Sequence, residues 1–400
     1  MKEEDALLAA VAKEPDEDLP RLAFADWLDE NSPDDTPTPA EGPSAWAEFV
    51  RVQCRLAAGA FDDPDYPELL EREASLGHWL SLRLPDLEAS PGFPDSNAGF
   101  GGGEWGNSRR GFPEVVFFAS YTSTVAEESV EAIIGRLKEK FAESPARTVS
   151  LEDAMNDEIA LLVRHPVFAR VRGLFLEGLE DRNGEEALAA IAASRWSTGL
   201  RRLSIHHVQL DDPICEVLAQ SPYLRNLESL TIGYPIGARS VEALGRSKWF
   251  RRLRRLNLWL GPDDGFRALA ALPAMRRLIS LTLGGAESTS AGVKRFAASA
   301  SFPALAHLDL GETHLSTDQV VALARGRWPL RHLRLRQNEV RKAGVEALVV
   351  SPFAPTLRVL ELPWCEITAS GVQELAKAEA LANLRHLDLA ENPIGPGGLA

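Results

Sequence analysis

LRHLRLRQNEVRKAGVEAL, residues 330–348, decides the fold. Leu330, Leu333 and Leu335 follow the pattern L-x-x-L-x-L, and alternation along a strand turns such leucines to one face. Asn338 follows three residues later, then Val340. GVEALVV at 344–350 next spaces its apolar residues three and four apart, as a helix face requires. Outward from this stretch the same frame recurs nine times: VRGLFL from Val171, LRRLSI from Leu200, LESLTI from Leu227, LRRLNL from Leu253, LISLTL from Leu278, LAHLDL from Leu305, LRHLRL from Leu330, LRVLEL from Leu357 and LRHLDL from Leu384. Successive starts lie 29, 27, 26, 25, 27, 25, 27 and 27 residues apart. Self-similarity at such a period is the mark of a repeat array.

Each unit reads as a strand, a turn and a helix, so the array stacks parallel strands with helices on the opposite side. After the strand several units place Thr313, Asn338, Cys365 or Asn392, followed by Leu315, Val340, Ile367 or Ile394. A small polar group there can satisfy turn backbone that would otherwise be buried unpaired. Val208, Pro235, Gly261 and Ala286 depart from this position in the second to fifth units. LRHLRLRQNEVRKAGVEAL and LRHLDLAENPIGPGGLA (384–400) resemble the leucine-rich repeat family in its ribonuclease-inhibitor-like subclass. The resemblance covers residues 171–400 and implies an α/β solenoid: a horseshoe with a parallel sheet on its concave face and helices on its convex face. Two degenerate leading repeats are expected at 112–170, from EVVFFAS (114–120) with the helical 127–142, and TVSL (148–151) with the helical 157–165.

Ahead of the array, four amphipathic stripes read as helices at Asp5–Lys13, Asp18–Glu30, Ser44–Ala58 and Pro67–Leu84, a compact helical bundle. PDED (15–18), RLAFADWL (21–28) and EFVRVQC (48–54) resemble the short bacterial repeat-companion domain, with a longer loop at 31–45 than that family's usual link. The resemblance supports the architecture and implies no activity. The expected organisation is a helical cap at 1–84, a Gly/Pro-rich linker at 85–111, the leading repeats at 112–170 and the array at 171–400. An array's first repeat exposes a core edge, so the bundle is expected to cover it.

The net charge of -15 is uneven. Residues 1–150 hold 13 Lys/Arg and 30 Asp/Glu, and residues 151–400 hold 30 and 28, giving -17 against +2. Nucleic-acid binders usually carry a basic field, so the acidic first part argues against such a partner, although residues 251–300 keep nine Lys/Arg against three Asp/Glu. Cys54, Cys215 and Cys365 are far apart, excluding a disulfide framework and a local zinc knuckle. The N-terminus lacks a signal-peptide pattern, and nowhere do eighteen apolar residues run together. A soluble, cytoplasmic protein without a membrane partner is expected.

Gly101–Gly106 matches G-x-G-x-x-G, but Pro and Asn precede it and no helix pattern follows, so it reads as connector rather than dinucleotide fingerprint. No P-loop pattern exists. His307, His332 and His386 hold equivalent positions beside Asp309, yet Val359 interrupts the row, so partner-facing histidines outweigh a metal pair. Cys365 and Cys54 read as buried, and Asp26 as a structural contact in the bundle. The reading assigns no catalytic residue, cofactor or metal. It places the binding surface on the concave face, at Arg255, Asn257, Trp259, His307, Asp309, His332, Arg334, Arg336, Glu361, Trp364, His386 and Asp388, because exposed Trp and Arg dominate interface energetics. The leading function is a non-catalytic scaffold binding a protein. The alternatives are a regulator of a partner enzyme, in the manner of a GTPase activator, and polyanion or RNA binding through Arg251–Arg255, Arg276, Arg277, Arg334 and Arg336. Self-association through the C-terminal end is a further expectation.

Overall fold

The computed structural model describes residues 3–14, 17–31, 43–57, 69, 72–73, 76, 108–109, 112–113, 115–119, 130–143, 147–154, 156–179, 184–261, 265–285 and 289–395. Most of the expected helix Pro67–Leu84, the Gly101–Gly106 stretch and residues 396–400 lie outside them. Two compact units divide the chain: residues 1–152 with 170–174, and residues 153–169 with 175–400.

In the first unit three helices, α1 (Glu3–Lys13), α2 (Leu19–Glu30) and α3 (Pro43–Ala57), close on one another. Their apolar stripes meet in a core of Val11, Phe24, Ala25, Leu28, Ala47, Val50 and Cys54. Phe24 sets its ring edge-on to Trp46 at 5.1 Å, a favoured aromatic geometry. Asp26, beside Trp27, pairs with Arg51 of α3 at 2.7 Å, so it ties two helices together. Strand β1 (Ser108–Arg109), within the stretch read as linker, pairs antiparallel with β2 (Phe112–Pro113). Strands β3 (Val115–Ala119) and β4 (Thr148–Ala154) pair in parallel and flank α4 (Val130–Glu143). The buried Arg147 guanidinium donates to the Ala12 carbonyl at 2.9 Å, which anchors the end of α1.

The second unit repeats one mechanical theme. After α5 (Asn156–Arg164), strands β5 (Gly173–Leu179), β6 (Arg202–His206), β7 (Ser229–Ile236), β8 (Arg255–Leu260), β9 (Ser280–Gly285), β10 (His307–Asp309), β11 (His332–Arg334), β12 (Val359–Glu361) and β13 (His386–Asp388) follow in sheet order as in the chain. Helices α6 (Glu185–Ala193), α7 (Asp212–Gln220), α8 (Ala238–Gly245), α9 (Gly265–Ala270), α10 (Ser290–Ala298), α11 (Thr317–Leu323), α12 (Arg341–Val349) and α13 (Ala369–Ala376) return the chain between them. Leucine pairs with leucine across each rung from β10 to β13, as in Leu308↔Leu333↔Leu360↔Leu387. Leu308, Leu333 and Leu360 are fully buried, whereas Leu387 on β13 is 41% exposed.

The turns after β10 to β13 are closed by polar side chains. Asn338 is buried and donates to the carbonyls of Leu310 (2.8 Å) and Leu335 (3.0 Å), while its Oδ1 accepts from Leu315 N–H at 2.6 Å. Asn392 treats the preceding repeat in the same way, donating to Leu362 and accepting from Cys365 N–H and Ile367 N–H. Cys365 stands at the equivalent position, its thiol donating to the Leu335 carbonyl at 2.9 Å. It is therefore a buried structural thiol, pushed up to about 12 by its burial.

Candidate functional site on the strand face

Alternation sorts the strand residues that do not face the helices into two rows. Register places Arg202, Ser229, Arg255, Ser280, His307, His332, Val359 and His386 in the first row. Ser204, Thr231, Asn257, Thr282, Asp309, Arg334, Glu361 and Asp388 form the second. Eleven of the twelve residues expected to bind lie in these rows or on the turns just beyond them, and Trp259 lies one step further along β8. They fall into three groups.

The central group is His307, Asp309, His332, Arg334 and Glu361. The His307 and His332 rings stack at 4.3 Å, and Ser280 Oγ contacts His307 Nδ1 at 3.1 Å. His332 Nε2 and Glu361 Oε1 share a 2.6 Å hydrogen bond, with the imidazole donating to the carboxylate. Arg334 lies between two carboxylates, 3.6 Å from Asp309 and 3.4 Å from Glu361. Burial pushes the Glu361 carboxyl upward, but the hydrogen bond from His332 and the charges of His332, Arg334 and His386 outweigh it and hold the group below its ordinary range. For Asp309 burial wins and raises the carboxyl, against the pull of Arg334 and a 2.8 Å bond from Gly311 N–H. Burial, with His332, Arg334 and Arg255 nearby, keeps the His307 imidazole neutral far below its usual titration range.

This internal pairing changes what Arg334 can do. Its charge is already compensated by two neighbours, and its removal would take away the guanidinium that lies between the buried Asp309 and Glu361. Breaking such a pair costs far more than a surface contact contributes. Arg334 is thus an organiser of the face rather than an anchor that can be truncated harmlessly. Arg336 is more loosely held, 3.9 Å from Glu312.

The second group, on β8, is Arg255, Asn257 and Trp259. Arg255 is exposed, while Asn257 and Trp259 are half-buried. The Trp259 indole lies across β9: a Cβ at Gly285 would stand 2.3 Å from its Nε1, and Gly285 also has φ +79°. Only glycine admits the ring there. The third group, Trp364, His386 and Asp388, occupies β13 and the turn after β12. Trp364 is 52% exposed and holds a left-handed backbone, φ 57°. Glu312, Gln337 and Glu391 share that conformation at corresponding turns. Asp388 accepts from Ala390 N–H at 2.8 Å, the same local bond that Asp309 makes to Gly311.

Ser280 and Glu312 escaped the sequence reading. Ser280 holds the same frame position as His307, one repeat earlier, so register alone could have paired them. Glu312 lies in a turn whose left-handed backbone carries no signal in a non-glycine residue. Another imidazole contact, Ser204 Oγ to His206 Nε2 at 2.7 Å, sits four strands from this cluster. Serine and imidazole also meet at Ser280–His307, where the ring stacks on His332. Among the described residues no group of three or more His, Cys, Asp or Glu side chains is placed to hold a metal ion, and no helix is long and apolar enough to cross a membrane.

A family model described as leucine-rich repeat matches residues 329–349, 353–376 and 380–400. The chain carries leucine-rich repeats, built as a solenoid of parallel strands with helices. Among solved structures it is similar to an internalin from Listeria monocytogenes, at 16% identity and a TM-score of 0.39, covering 72% of this chain and 83% of that one. It is also similar to a chain of the yeast Rad7–Elc1 complex, at 15% identity and a TM-score of 0.40, covering 92% and 84%. A Bacteroides fragilis protein matches at 12% identity and a TM-score of 0.40, covering 66% and 84%. No curated protein matches the sequence.

Proposed function

We propose that the strand face of the second unit binds a protein and that the chain acts as a non-catalytic, cytoplasmic interaction scaffold. The observation that supports this is the make-up of the face. A parallel sheet is ordinarily covered on both sides. Here the side away from the leucines carries two registered rows of polar and charged residues, flanked by Trp259 and the exposed Trp364. The ion pairs at its centre pre-order the side chains, which lowers the cost of binding. Arg255, Trp364, His386 and Asp388 are the contacts this reading assigns to the partner.

The long, helix-containing repeats support a ribonuclease-inhibitor-like subclass, and the companion-domain motifs support a bacterial repeat protein. We assign 1–84 to a companion domain acting as a cap, 85–111 to a linker, 112–170 to two divergent leading repeats and 171–400 to nine further units. The strand–helix order β3–α4 and β4–α5 supports the leading pair.

Affinity capture with the full chain tests the function, comparing wild type with a Trp364→Ala/Arg255→Glu variant. Aromatic and arginine anchors at an interface centre cost ~2 kcal/mol or more when lost, so partner recovery should weaken roughly tenfold or more. Equal recovery by a normally folded variant would remove the strand face from consideration.

A further inference from the structure

Parallel strands in chain order put every helix-to-strand segment on one edge of the second unit and every strand-to-helix segment on the other. The charges divide between those edges. The segments entering β6 to β13 (194–202, 221–229, 246–255, 271–280, 299–307, 324–332, 350–359 and 377–386) hold 18 Lys/Arg and two Glu. Among the described residues, the segments leaving the same strands (207–212, 237–240, 289–290, 310–318, 335–342, 362–369 and 389–395) hold four Lys/Arg and seven Asp/Glu. A unit that is nearly neutral overall therefore has one strongly basic edge.

Helix dipoles explain only part of this. Cations are favoured at helix C-termini, but the effect fades within the last turn. Helix α8 ends at Gly245 and α9 at Ala270, whereas Arg251–Arg255 and Arg276–Arg277 lie six or more residues beyond those ends. Arg-Arg pairs begin at 201, 251, 254 and 276. Backbone bonds set them in register: Glu228 N–H donates to Arg201 O, Arg254 N–H to Glu228 O and Ile279 N–H to Arg254 O. One carboxylate intervenes, Glu228, 4.0 Å from Arg201. Arg251, Arg252, Arg254, Arg276 and Arg277 are all exposed, and among the described residues none of them has a carboxylate partner. Like charges packed this way repel one another and are relieved by an anion.

Charge density selects the anion. The four segments entering β6 to β9 carry 12 Lys/Arg. Neighbouring strands lie about 4.8 Å apart, so the four segments span roughly 14 Å across the sheet and bring an average of three cations each to that edge. An extended peptide acidic at every residue offers about one charge per 3.4 Å. Duplex nucleic acid offers about one per 1.7 Å. Arginine is the residue suited to bidentate phosphate contacts, and 16 of the 18 edge cations are Arg. Salt screens exposed charges beyond about 8 Å, so the local density of the edge, more than the net charge of the chain, sets its attraction for a polyanion.

We propose that the basic edge at β6–β9 binds the phosphate backbone of a nucleic-acid duplex without reading its bases. Arg202 and Arg255, where the entering segments meet the sheet, also belong to the first row of the strand face. Arg251, Arg254, Arg276 and Arg277 lie in neither row and Trp364 lies outside the edge, so changes at these residues let either reading fail without the other. The test is fluorescence anisotropy of the full chain with a short labelled DNA duplex and an RNA duplex of equal length, across a salt series, with polyglutamate as competitor. Binding should weaken linearly in log–log salt, with a slope of about -0.9 per phosphate neutralised. Binding of either duplex supports the proposal, and the tighter one identifies the source. A variant with Arg251, Arg254, Arg276 and Arg277 all changed to Gln should lower the slope by about 3–4 and the affinity at least tenfold. Arg239→Gln on the opposite edge should change neither. Circular dichroism and the melting temperature confirm folding, and single Arg→Gln variants, each lowering the slope by about 1, keep the test open if the fourfold variant is unstable. Absence of duplex binding at low salt, an unaltered slope in folded variants, or displacement by polyglutamate as effective as by unlabelled duplex would overturn the proposal. The last result would indicate an acidic protein instead.

Discussion

Replacing Asn338 by alanine should cost about 3–5 kcal/mol of stability. Three bonds of 3.0 Å or shorter disappear, those donated to Leu310 O and Leu335 O and the one accepted from Leu315 N–H, along with longer ones to Arg336 O (3.1 Å) and from Thr313 Oγ1 (3.3 Å). The two carbonyls keep a second donor, Thr313 Oγ1 at 2.7 Å for Leu310 and Cys365 Sγ at 2.9 Å for Leu335. Their losses are ordinary net hydrogen bonds, about 1 kcal/mol each. Leu315 N–H has no such reserve in its buried turn, and an orphaned donor there costs a further ~1–3 kcal/mol. Asn392→Ala removes a similar set from a more exposed turn, where water can substitute, so about 1–2 kcal/mol is expected. Urea unfolding followed by tryptophan fluorescence ranks the two variants, and amide exchange at Leu315 locates the effect. Thr313→Ala combined with Asn338→Ala should exceed the sum of the single changes, because Leu310 O then loses both donors. A cost for Asn338→Ala below about 1 kcal/mol, or a larger one for Asn392→Ala, would show that the turns are not held as argued.

Burial, followed by the charge of His207, depresses the His206 imidazole to about 4. The unfolded chain takes up its proton first, so this residue leaves stability untouched above about 6.5 and removes up to about 3 kcal/mol as pH falls from there to about 4. His307 acts in the same direction. His206→Gln should flatten the decline in urea midpoint over that window, and an unchanged slope would contradict the burial argument. The thiols of Cys215 and Cys365, raised to about 11 and about 12 and fully buried, should not react with a thiol reagent in the native protein. Rapid labelling of either residue ahead of unfolding would be inconsistent with the packing described.

The array was legible because its signal is periodic. Leucines such as Leu333 and Leu335 must alternate to bury one face, and the same arithmetic assigns His332 and Arg334 to the other. Register then follows from the repeat, since equivalent positions pair across strands. Partnership within the face was not legible. Asp309, Arg334 and Glu361 could be placed in one row, but whether Arg334 points at its neighbours or at a partner depends on rotamers and burial that a pattern does not encode. Trp259 shows the same limit: its frame position says outward, while the gap at Gly285 lets the ring lie down across the sheet. The strand-entry edge illustrates the reverse case. Its arginines were visible singly, yet their convergence depends on knowing that all strands run one way.

Each polar plug in the turns works across a repeat boundary. Asn338 satisfies Leu310 O and Leu315 N–H of the unit before it, and Asn392 does the same for Leu362, Cys365 and Ile367. On the ribosome, such a turn must stay unsatisfied until the following repeat has emerged. At roughly 5–20 residues per second, a repeat of about 27 residues leaves that gap open for a second or more. The growing array thus carries an unfinished leading edge that advances one unit at a time, and a pause in translation between two units prolongs the exposure of one turn rather than of the whole array.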